Sequence, residues 1–211
     1  MPPLTGLLIL GFGGHARAVA DVALAIGIKQ LCFIDINARP GETFGTFPVL
    51  PSWDKGRLEG WSVMPASGDC VQRHAQCEWA AQLDWPLATL VSPTATLGFG
   101  ATVGAGSFVG HHAHVGPMAS VGQGCVINTG AIVEHECTVG DFTHISIKAA
   151  VAGRCQIGKG CFIGAGSTVI DGLIVSDGVT LGAGACAHRN LTEPGVYVGV
   201  PAKQIRREGQ R

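Results

Sequence analysis

The stretch 97–122 reads LGFGATVGAGSFVGHHAHVGPMASVG, in which an aliphatic residue recurs at every sixth position and is followed each time by glycine. The same spacing of aliphatic residues continues without an insertion from Val91 to Leu181. Neither an α-helix, with about 3.6 residues per turn, nor a strand, whose side chains alternate, can keep this register. The repeat instead predicts a parallel β-helix, in which each hexapeptide forms one short strand and one corner.

The same repeat predicts what fills the β-helix. Three hexapeptides should close one triangular coil, so residues 18 positions apart should stack at about 4.8 Å, the spacing of neighbouring strands. The aliphatic residue should point inward, and the glycine after it should permit the bend. Four residues after each aliphatic position stands a small residue that suits a narrow interior. Four thiols belong to this inward row, and we interpret them as packing residues: Cys125, Cys137, Cys155 and Cys161.

The composition divides the chain into two parts. All four Trp residues lie before residue 90, whereas most of the 32 Gly residues lie after it. We therefore expect two domains, a small α/β domain over residues 1–88 and the β-helix with a C-terminal tail over residues 89–211.

Charge and hydrophobicity exclude several classes of function. The net charge is −1, with 14 Lys and Arg against 15 Asp and Glu, so the basic surface that nucleic-acid binding requires is not expected. No apolar run approaches the roughly 18 to 20 residues of a membrane helix, and the N-terminus lacks the basic segment of a signal peptide. The eight Cys residues form no Cys-x-x-Cys pair, which favours reduced thiols. We expect a cytoplasmic protein without membrane insertion.

The N-terminal domain begins with a nucleotide-binding pattern. A buried strand is predicted over residues 7–10, the turn 11–16 reads GFGGHA, and a helix with apolar residues at 19, 22, 23 and 26 follows. A second strand over 31–34 ends in Asp35, which fits the G-x-G-x-x-A fingerprint with an acid about 20 residues later. The glycines let the backbone approach a phosphate, and the helix N-terminus attracts negative charge. Asp35 could accept a hydrogen bond from a ribose hydroxyl or a base.

The size of this domain bears on the ligand. The segment 1–88 has no room for both halves of a dinucleotide site, so it favours a nucleotide-sugar over NAD and counts against a dehydrogenase. A second loop over 66–69 follows a predicted strand at 62–64 and leads into a helix that contains Arg73. Two interpretations of it stay open. Either the loop contributes to the ligand site, or it is a glycine turn followed by a solvated Arg73.

The hexapeptide pattern resembles that of the hexapeptide-repeat acyltransferases, and the ending 198–203, VGVPAK, resembles the closing segment of that family. With its N-terminal domain, the whole chain resembles the nucleotide-activated amino-sugar N-acetyltransferases and the sialic acid O-acetyltransferases. The resemblance implies a Rossmann-like N-terminal domain, a left-handed parallel β-helix and a homotrimer. The matching elements are the turn 11–15, Asp35, Gly68, the segment 134–136, His144 and the end 201–203.

Within this family the chain most resembles the acetyltransferases that act on UDP-4-amino-4,6-dideoxy sugars in bacillosamine synthesis. That subgroup has two acids where this chain has Asp35 and Ile36, so uracil, thymine and guanine stay open as the nucleobase. The substrate-binding residues that the resemblance implies are Gly13, Gly14, His15, Asp35, Ile36 and Gly68.

The implied catalytic pair is His135 and Glu136. His135 lies two positions after the inward Val133, so it should face outward, and a carboxylate beside an imidazole raises its basicity and fixes its tautomer. Gly153, 18 positions later, should stack on His135, and we expect its backbone N–H to face the carbonyl of a thioester.

The resemblance also implies an acetyl-CoA site that includes His144, Gly153, Ala165 and Ala183. His144 is nine residues from His135, half a coil away. One subunit can hardly bring both to one groove, whereas two neighbouring subunits of a homotrimer can. Ala165 and Ala183 belong to one stacked row, in which small side chains would let acetyl-CoA lie close to the β-helix.

Two groups of basic residues have less specific interpretations. The histidines at 111, 112 and 114 should diverge near a corner, with no Cys or carboxylate nearby to complete a set, so we expect no metal site. The basic tail could contact the phosphates of CoA or could be solvated, and both interpretations stay open for Lys203, Arg206 and Arg207.

The sequence thus predicts an acetyl-CoA-dependent N-acetyltransferase that modifies the 4-amino group of a UDP-, dTDP- or GDP-linked amino-deoxy sugar by direct transfer, with His135 as general base. One alternative is an O-acetyltransferase that acts on sialic acid or a related sugar. A second alternative is a sugar-nucleotide-binding protein without enzymatic activity.

Overall fold

The computed structural model describes residues 4–205, which form a small α/β domain followed by a parallel β-helix. The strands and helices of the first domain are β1 (Gly6–Leu10), α1 (Gly14–Ala25), β2 (Gln30–Ile34), β3 (Thr43–Phe44), β4 (Phe47–Leu50), β5 (Trp61–Pro65) and α2 (Cys70–Gln82). The β-helix consists of β6 (Leu90–Val91), β7 (Thr96–Leu97), β8 (Thr102–Val103), β9 (Phe108–Val109), β10 (His114–Val115), β11 (Ser120–Val121), β12 (Val126–Ile127), β13 (Ile132–Val133), β14 (Thr138–Val139), β15 (His144–Ile145), β16 (Ala150–Val151), β17 (Gln156–Ile157), β18 (Phe162–Ile163), β19 (Thr168–Val169), β20 (Ile174–Val175), β21 (Val179–Leu181), β22 (Cys186–Ala187), β23 (Gly195–Val198) and β24 (Lys203–Ile205).

The N-terminal sheet has the strand order β3-β4-β2-β1-β5, with β1 pairing in parallel with both β2 and β5. All five residues of β1 are buried, as expected for a central strand covered on both faces. The predicted strands and the helix after the glycine turn are confirmed. One residue of the predicted apolar stripe is not in the core: Ile26 lies at the C-terminal cap of α1 and is 42 % exposed, because the helix ends before it.

The β-helix has three faces, each a sheet whose strands from β6 to β22 are stacked 18 residues apart. The first face, which we call the docking face because the N-terminal domain packs on it, contains β6, β9, β12, β15, β18, β21, β23 and β24, of which only β24 is antiparallel. The second face contains β7, β10, β13, β16, β19 and β22, and the third face contains β8, β11, β14, β17 and β20. The register is constant, so that Ile127 pairs with Ile145 and Ile145 with Ile163. The predicted fold class is confirmed.

The interior follows the predicted rows. From Val109 to Leu181 the aliphatic residues at the six-residue spacing are at most 3 % exposed, and the four inward thiols are fully buried. All eight Cys residues are free. Leu97 is an exception to the inward row at 45 % exposed, because it belongs to the first coil and no earlier coil covers it.

The prediction about the corner glycines was wrong in its physical reason. The glycine after each aliphatic residue is needed for close packing, since a Cβ on Gly140 would lie 2.7 Å from backbone atoms of Gly158 and Lys159 in the next coil. The bend lies two residues further on, where φ is between 53° and 73° at every sixth residue from Gly100 to Gly184. Six of these left-handed positions carry a side chain, which is uncommon outside glycine: His112, Met118, Glu136, Phe142, Lys148 and Arg154.

The N-terminal domain packs on the docking face. Leu90, Phe108 and Val126 point outward from this face and share one hydrophobic cluster with residues of β1 and α1. The outward row of the third face is mostly polar by comparison, with Thr102, Ser120, Thr138 and Gln156. The apolar side chains on one outer face therefore mark the surface that the first domain covers. Neither helix of the described region has the length and apolar character that a membrane span requires.

Arg73 fastens the two domains together. Its guanidinium is fully buried and donates to the carbonyls of Gly124 (2.6 Å) and Phe142 (2.6 Å) in the β-helix and to those of the loop 67–69, the nearest at 2.9 Å. The interpretation of Arg73 as a solvated residue is thus wrong. Because the partners are backbone carbonyls, the planar fork of the guanidinium can hold several at once.

We expect Arg73→Lys to lower the free energy of unfolding by about 3 kcal/mol, because a single ammonium cannot reach all these buried carbonyls and would leave several unsatisfied. Denaturant unfolding measures the change. The control is Arg57→Lys, since Arg57 is half exposed and, within residues 4–205, bonds only to Asp84. Equal stability of Arg73→Lys and the control would contradict a role for Arg73 in joining the domains.

Candidate active site

The glycine turn borders a cavity of about 410 Å³ in the N-terminal domain. Five predicted substrate-binding residues line it together: Gly13, Gly14, His15, Asp35 and Gly68. Helix α1 begins here, and its N-cap Gly13 supplies no side chain to satisfy the free N–H groups of the first turn. Free N–H groups at the start of a helix are the donors that bind phosphates in other proteins.

Ile36 lies in an adjoining cavity of about 690 Å³. This second cavity shares Asp35 with the first and is lined further by Asn37, Trp53 and Trp79. The side chain of Ile36 is 86 % exposed, so it is free to contact a ligand. The two tryptophans were not predicted as site residues, because they are distant in sequence from the glycine turn.

Asp35 has a structural task in addition to its predicted one. One carboxylate oxygen accepts a hydrogen bond from the N–H of Phe12 (2.8 Å), and the other accepts from the N–H of Asn37 (2.9 Å). The carboxylate therefore fixes the glycine turn relative to the end of β2. Each oxygen retains a second lone pair for a ribose or base donor.

The loop 67–69 is held from α2. Gln76 accepts a hydrogen bond from the N–H of Ser67 (3.1 Å) and donates to the carbonyl of Leu10 (2.9 Å), while Arg73 binds the loop carbonyls. Asp69 caps α2 by accepting from the N–H of Gln72 (2.8 Å). Sequence reasoning missed Gln76, whose only signal is its position two turns after a helix cap.

His144 lies at the junction of the two domains. Its Nδ1 donates to the carbonyl of Gly68 (3.0 Å), and its Nε2 accepts from the amide of Asn128 (3.2 Å), so the ring is neutral with both nitrogens in use. Burial lowers the pKa of His144 to about 4. The residue thus contacts the loop 67–69 of its own chain, and its role toward acetyl-CoA stays a prediction. Asn128 was not predicted.

His15 is the unsatisfied group of this junction. Both ring nitrogens are buried and have no hydrogen-bond partner within residues 4–205. The ring packs edge-on against Phe108 and lies 6.1 Å from the ring of His144. Burial, followed by the charges that His144 and Arg73 would present, lowers the pKa of His15 to about 3. A buried, unpaired imidazole is uncommon, and a ligand in the cavity could satisfy it.

His135 and Glu136 lie at the corner between the second and third faces. Nδ1 of His135 is 3.1 Å from Oε2 of Glu136, and the backbone N–H of His135 donates to Glu134. The opposite edge of the ring lies over Gly153. If residue 153 had a Cβ, this atom would lie 2.6 Å from Cε1 of His135 and would overlap Nε2. The predicted pairing and the predicted stacking are therefore present. Within residues 4–205, the backbone N–H of Gly153 has no hydrogen-bond acceptor.

The other predicted acetyl-CoA residues lie at a different corner, between the docking and second faces. Ala165 and Ala183 are exposed and stack in successive coils, with the N–H of Gly184 donating to the carbonyl of Ala165 (2.9 Å). Lys203 is exposed in β24, whereas Arg206 and Arg207 lie outside the described residues.

The three clustered histidines do not share a partner, and two of them bond to different residues. His111 bonds to Ser92 (2.7 Å) and to Asp21 of α1 (3.1 Å), and His114 bonds to Thr96 (2.6 Å). His112 points to solvent from a left-handed bend. Among residues 4–205 no group of three or more His, Cys, Asp or Glu residues is arranged to hold a metal ion.

Comparison with known proteins identifies the family. Residues 6–80 match the PglD N-terminal domain, and residues 136–171 match the bacterial transferase hexapeptide of six repeats. The acetyltransferase domain of PglB from Neisseria gonorrhoeae FA1090 is 32 % identical, with a TM-score of 0.91 over 95 % of this chain and 100 % of that chain. The chain belongs to the hexapeptide-repeat acetyltransferases.

Two further structures were solved with ligands. The same PglB domain in complex with acetyl coenzyme A is 32 % identical with a TM-score of 0.88, over 95 % of this chain and 99 % of that chain. A mutant of GDP-perosamine N-acetyl transferase from Caulobacter crescentus, in complex with CoA and GDP-perosamine, is 29 % identical with a TM-score of 0.88, over 96 % and 97 %. This confirms the predicted resemblance and the prediction that the protein is an acetyltransferase.

The two buried histidines should make the stability of this acetyltransferase depend on pH. In the unfolded chain each takes up a proton near pH 6.5, but in the folded chain only near pH 3 and 4. Their contribution is complete above about pH 6.5 and is lost as the pH falls, by about 2 kcal/mol for each histidine at pH 5.

Denaturant unfolding at pH 7 and pH 5 measures this loss. We expect His15→Asn and His144→Asn each to reduce the difference between the two pH values. The control is His112→Asn, since His112 is exposed and asparagine tolerates its positive φ. An unchanged difference in both variants would contradict the assignment.

Proposed function

We propose that this enzyme transfers the acetyl group of acetyl-CoA to the 4-amino group of a sugar linked to UDP, dTDP or GDP. The observation that carries the proposal is the pairing of His135 with Glu136, which leaves the second ring nitrogen directed over Gly153. This is the arrangement that a general base for an attacking amine requires. The family's solved members, which include complexes with CoA and an amino-sugar nucleotide, support the same chemistry.

The N-terminal domain would hold the nucleotide. The free N–H groups at Gly13 and Gly14 suit a diphosphate, because they combine unpaired donors with the positive end of the helix dipole. Asp35 and Ile36 would contact the ribose and base. His15 and the loop at Gly68 also line the cavity and contact Phe108 and His144 of the β-helix, so the sugar would extend in that direction.

The β-helix would perform the transfer. His135 accepts a proton from the amine through Nε2 while the nitrogen attacks the carbonyl carbon of the thioester, and Glu136 stabilises the imidazolium that forms. The N–H of Gly153 would donate to the oxygen that becomes negative in the tetrahedral intermediate. The C–S bond then breaks, and the thiolate of CoA receives the proton from His135. His144, Ala165 and Ala183 would contact acetyl-CoA.

The positions of the two halves support a homotrimer. The nucleotide cavity lies in the N-terminal domain, which packs on the docking face, and His135 lies at the corner opposite that face, with the hydrophobic interior of the β-helix between them. We therefore expect a sugar held by one chain to reach His135 of a neighbouring chain rather than of its own. Free thiols throughout the chain suit the reducing cytoplasm, where we place the reaction.

The experiment is an acetylation assay with acetyl-CoA and a panel of UDP-, dTDP- and GDP-linked 4-amino-4,6-dideoxy sugars. We expect one of them to be acetylated, and His135→Ala to reduce kcat by on the order of 10² or more, as for loss of a general base. Base treatment of the product tests the alternative chemistry, because an ester of the O-acetyltransferase type hydrolyses and an amide persists. Near-normal turnover by His135→Ala would remove His135 from the mechanism.

Glu136 offers a test that separates catalysis from folding. Its φ of +58° is strained for a side chain, so Glu136→Gly should leave the free energy of unfolding unchanged or raise it by up to about 1 kcal/mol. The same variant should reduce kcat by about tenfold or more, because His135 loses the carboxylate that orients it.

The matched control is Met118→Gly. Met118 occupies the same left-handed position one coil earlier, with φ of +60°. We expect the same effect on stability and no effect on kcat. If both variants lose activity equally, or if Glu136→Gly retains full activity, then Glu136 does not act through His135.

A further inference from the structure

A second carboxylate borders the space in front of His135. A Cβ on Gly153 would lie 3.1 Å from Oδ1 of Asp171 and would also overlap Nε2 of His135. The ring nitrogen that Glu136 leaves free and one carboxylate oxygen of Asp171 therefore face the same small volume above Gly153. The absence of a side chain at 153 is what keeps this volume open.

Asp171 is held so that this oxygen stays available. Its Oδ2 accepts a hydrogen bond from Nη2 of Arg154 at 2.5 Å, whereas Oδ1 has no hydrogen-bond partner in the described part of the chain. The carboxylate is 53 % exposed, so a substrate can reach it. If a substrate held by a neighbouring subunit were buried against this corner, the exclusion of water would strengthen its electrostatic interaction with the Asp171 carboxylate.

Arg154 occupies one of the left-handed bends, with φ of +59°. It lies in the same column as Glu136, one coil later, while the next coil has Gly172 at this position with φ of +72°. Two strained residues in succession thus hold the two groups that face the open volume, Glu136 holding His135 and Arg154 holding Asp171.

The charges at this corner favour a cation. Glu134, Glu136 and Asp171 carry three negative charges, against the guanidinium of Arg154 and that of Arg189, which follows Asp171 by 18 positions, so the corner keeps a net negative charge while His135 is neutral. An amino sugar in neutral water carries an ammonium group, which can donate to Oδ1 of Asp171 and to Nε2 of His135 simultaneously. A sugar hydroxyl in the same place has no charge and a single proton to donate.

We propose that Asp171 binds the ammonium group of the acceptor sugar and thereby selects amines over hydroxyls, an inference that rests on the proposed function. The ammonium loses one proton to water at the exposed carboxylate and remains as the neutral amine, with an N–H directed to Asp171. Its lone pair then forms the C–N bond to the acetyl carbon while His135 takes the second proton. The C–S bond breaks, and that proton passes to the thiolate of CoA.

The test compares three variants with the wild type, using the best amino-sugar nucleotide of the panel above and acetyl-CoA. Asp171→Asn should raise the KM for the amino sugar about tenfold, because a charge-assisted hydrogen bond becomes a neutral one. We expect its KM for acetyl-CoA to stay within twofold. Its inhibition constant for the matching nucleotide sugar with a 4-hydroxyl group should also stay within twofold.

Two controls separate binding from structure. Arg154→Gln removes the group that holds Asp171 but keeps the Asp171 charge, so it should raise the KM for the amino sugar by less than Asp171→Asn does. Asp141→Asn breaks a comparable pair with Lys159 (2.9 Å) at another corner and should leave every constant unchanged.

The proposal is overturned if Asp171→Asn keeps the wild-type KM for the amino sugar. It is equally overturned if Arg154→Gln raises the KM for the amino sugar as much as Asp171→Asn does. The same holds if Asp171→Asn raises the inhibition constant of the 4-hydroxy analogue about as much as this KM. These results are distinct from failure of the proposed function, in which the wild type would acetylate no member of the panel.

Discussion

The constant spacing of 18 residues between stacked strands is the constraint on which the site depends. It converts the β-helix into columns, so that a residue at a corner stacks on the residues 18 positions before and after it. His135, Gly153 and Asp171 form such a column, and Glu136 and Arg154 form the one beside it. An insertion of one residue anywhere between them would move every later side chain to another position on the prism.

The columns also explain which parts of the site could be predicted. The inward rows and the stacking of Gly153 on His135 followed from arithmetic on the sequence, since the register never changes between Val91 and Leu181. The bend was assigned to the wrong glycine because spacing alone cannot separate a residue that must lack a Cβ for packing from one that must adopt a positive φ. The close-packed glycine and the residue with positive φ both recur every six residues, and the second lies two residues after the first.

Contacts between the domains could not be read from the sequence. Arg73 reaches Gly124 and Phe142, which are 51 and 69 residues away, and His144 reaches Gly68 across 76 residues. No periodicity connects such positions, and a lone arginine on a helix is usually solvated. A weaker signal was present in the outward row of the docking face, where Leu90, Phe108 and Val126 are apolar although an exposed β-helix face is normally polar.

The same docking contact connects the wall of the glycine-turn cavity to the β-helix. The loop at Gly68 lines this cavity, and its carbonyl accepts from both Arg73 and His144, each of which also belongs to the interface with the β-helix. A neutral His144 can donate through Nδ1 and accept from Asn128 at once, which an imidazolium cannot do. Burial therefore does more here than stabilise a domain contact. It keeps the ring neutral, and the bond from Nδ1 to the carbonyl of Gly68 then fixes both the tautomer and the wall of the cavity that His15 also lines.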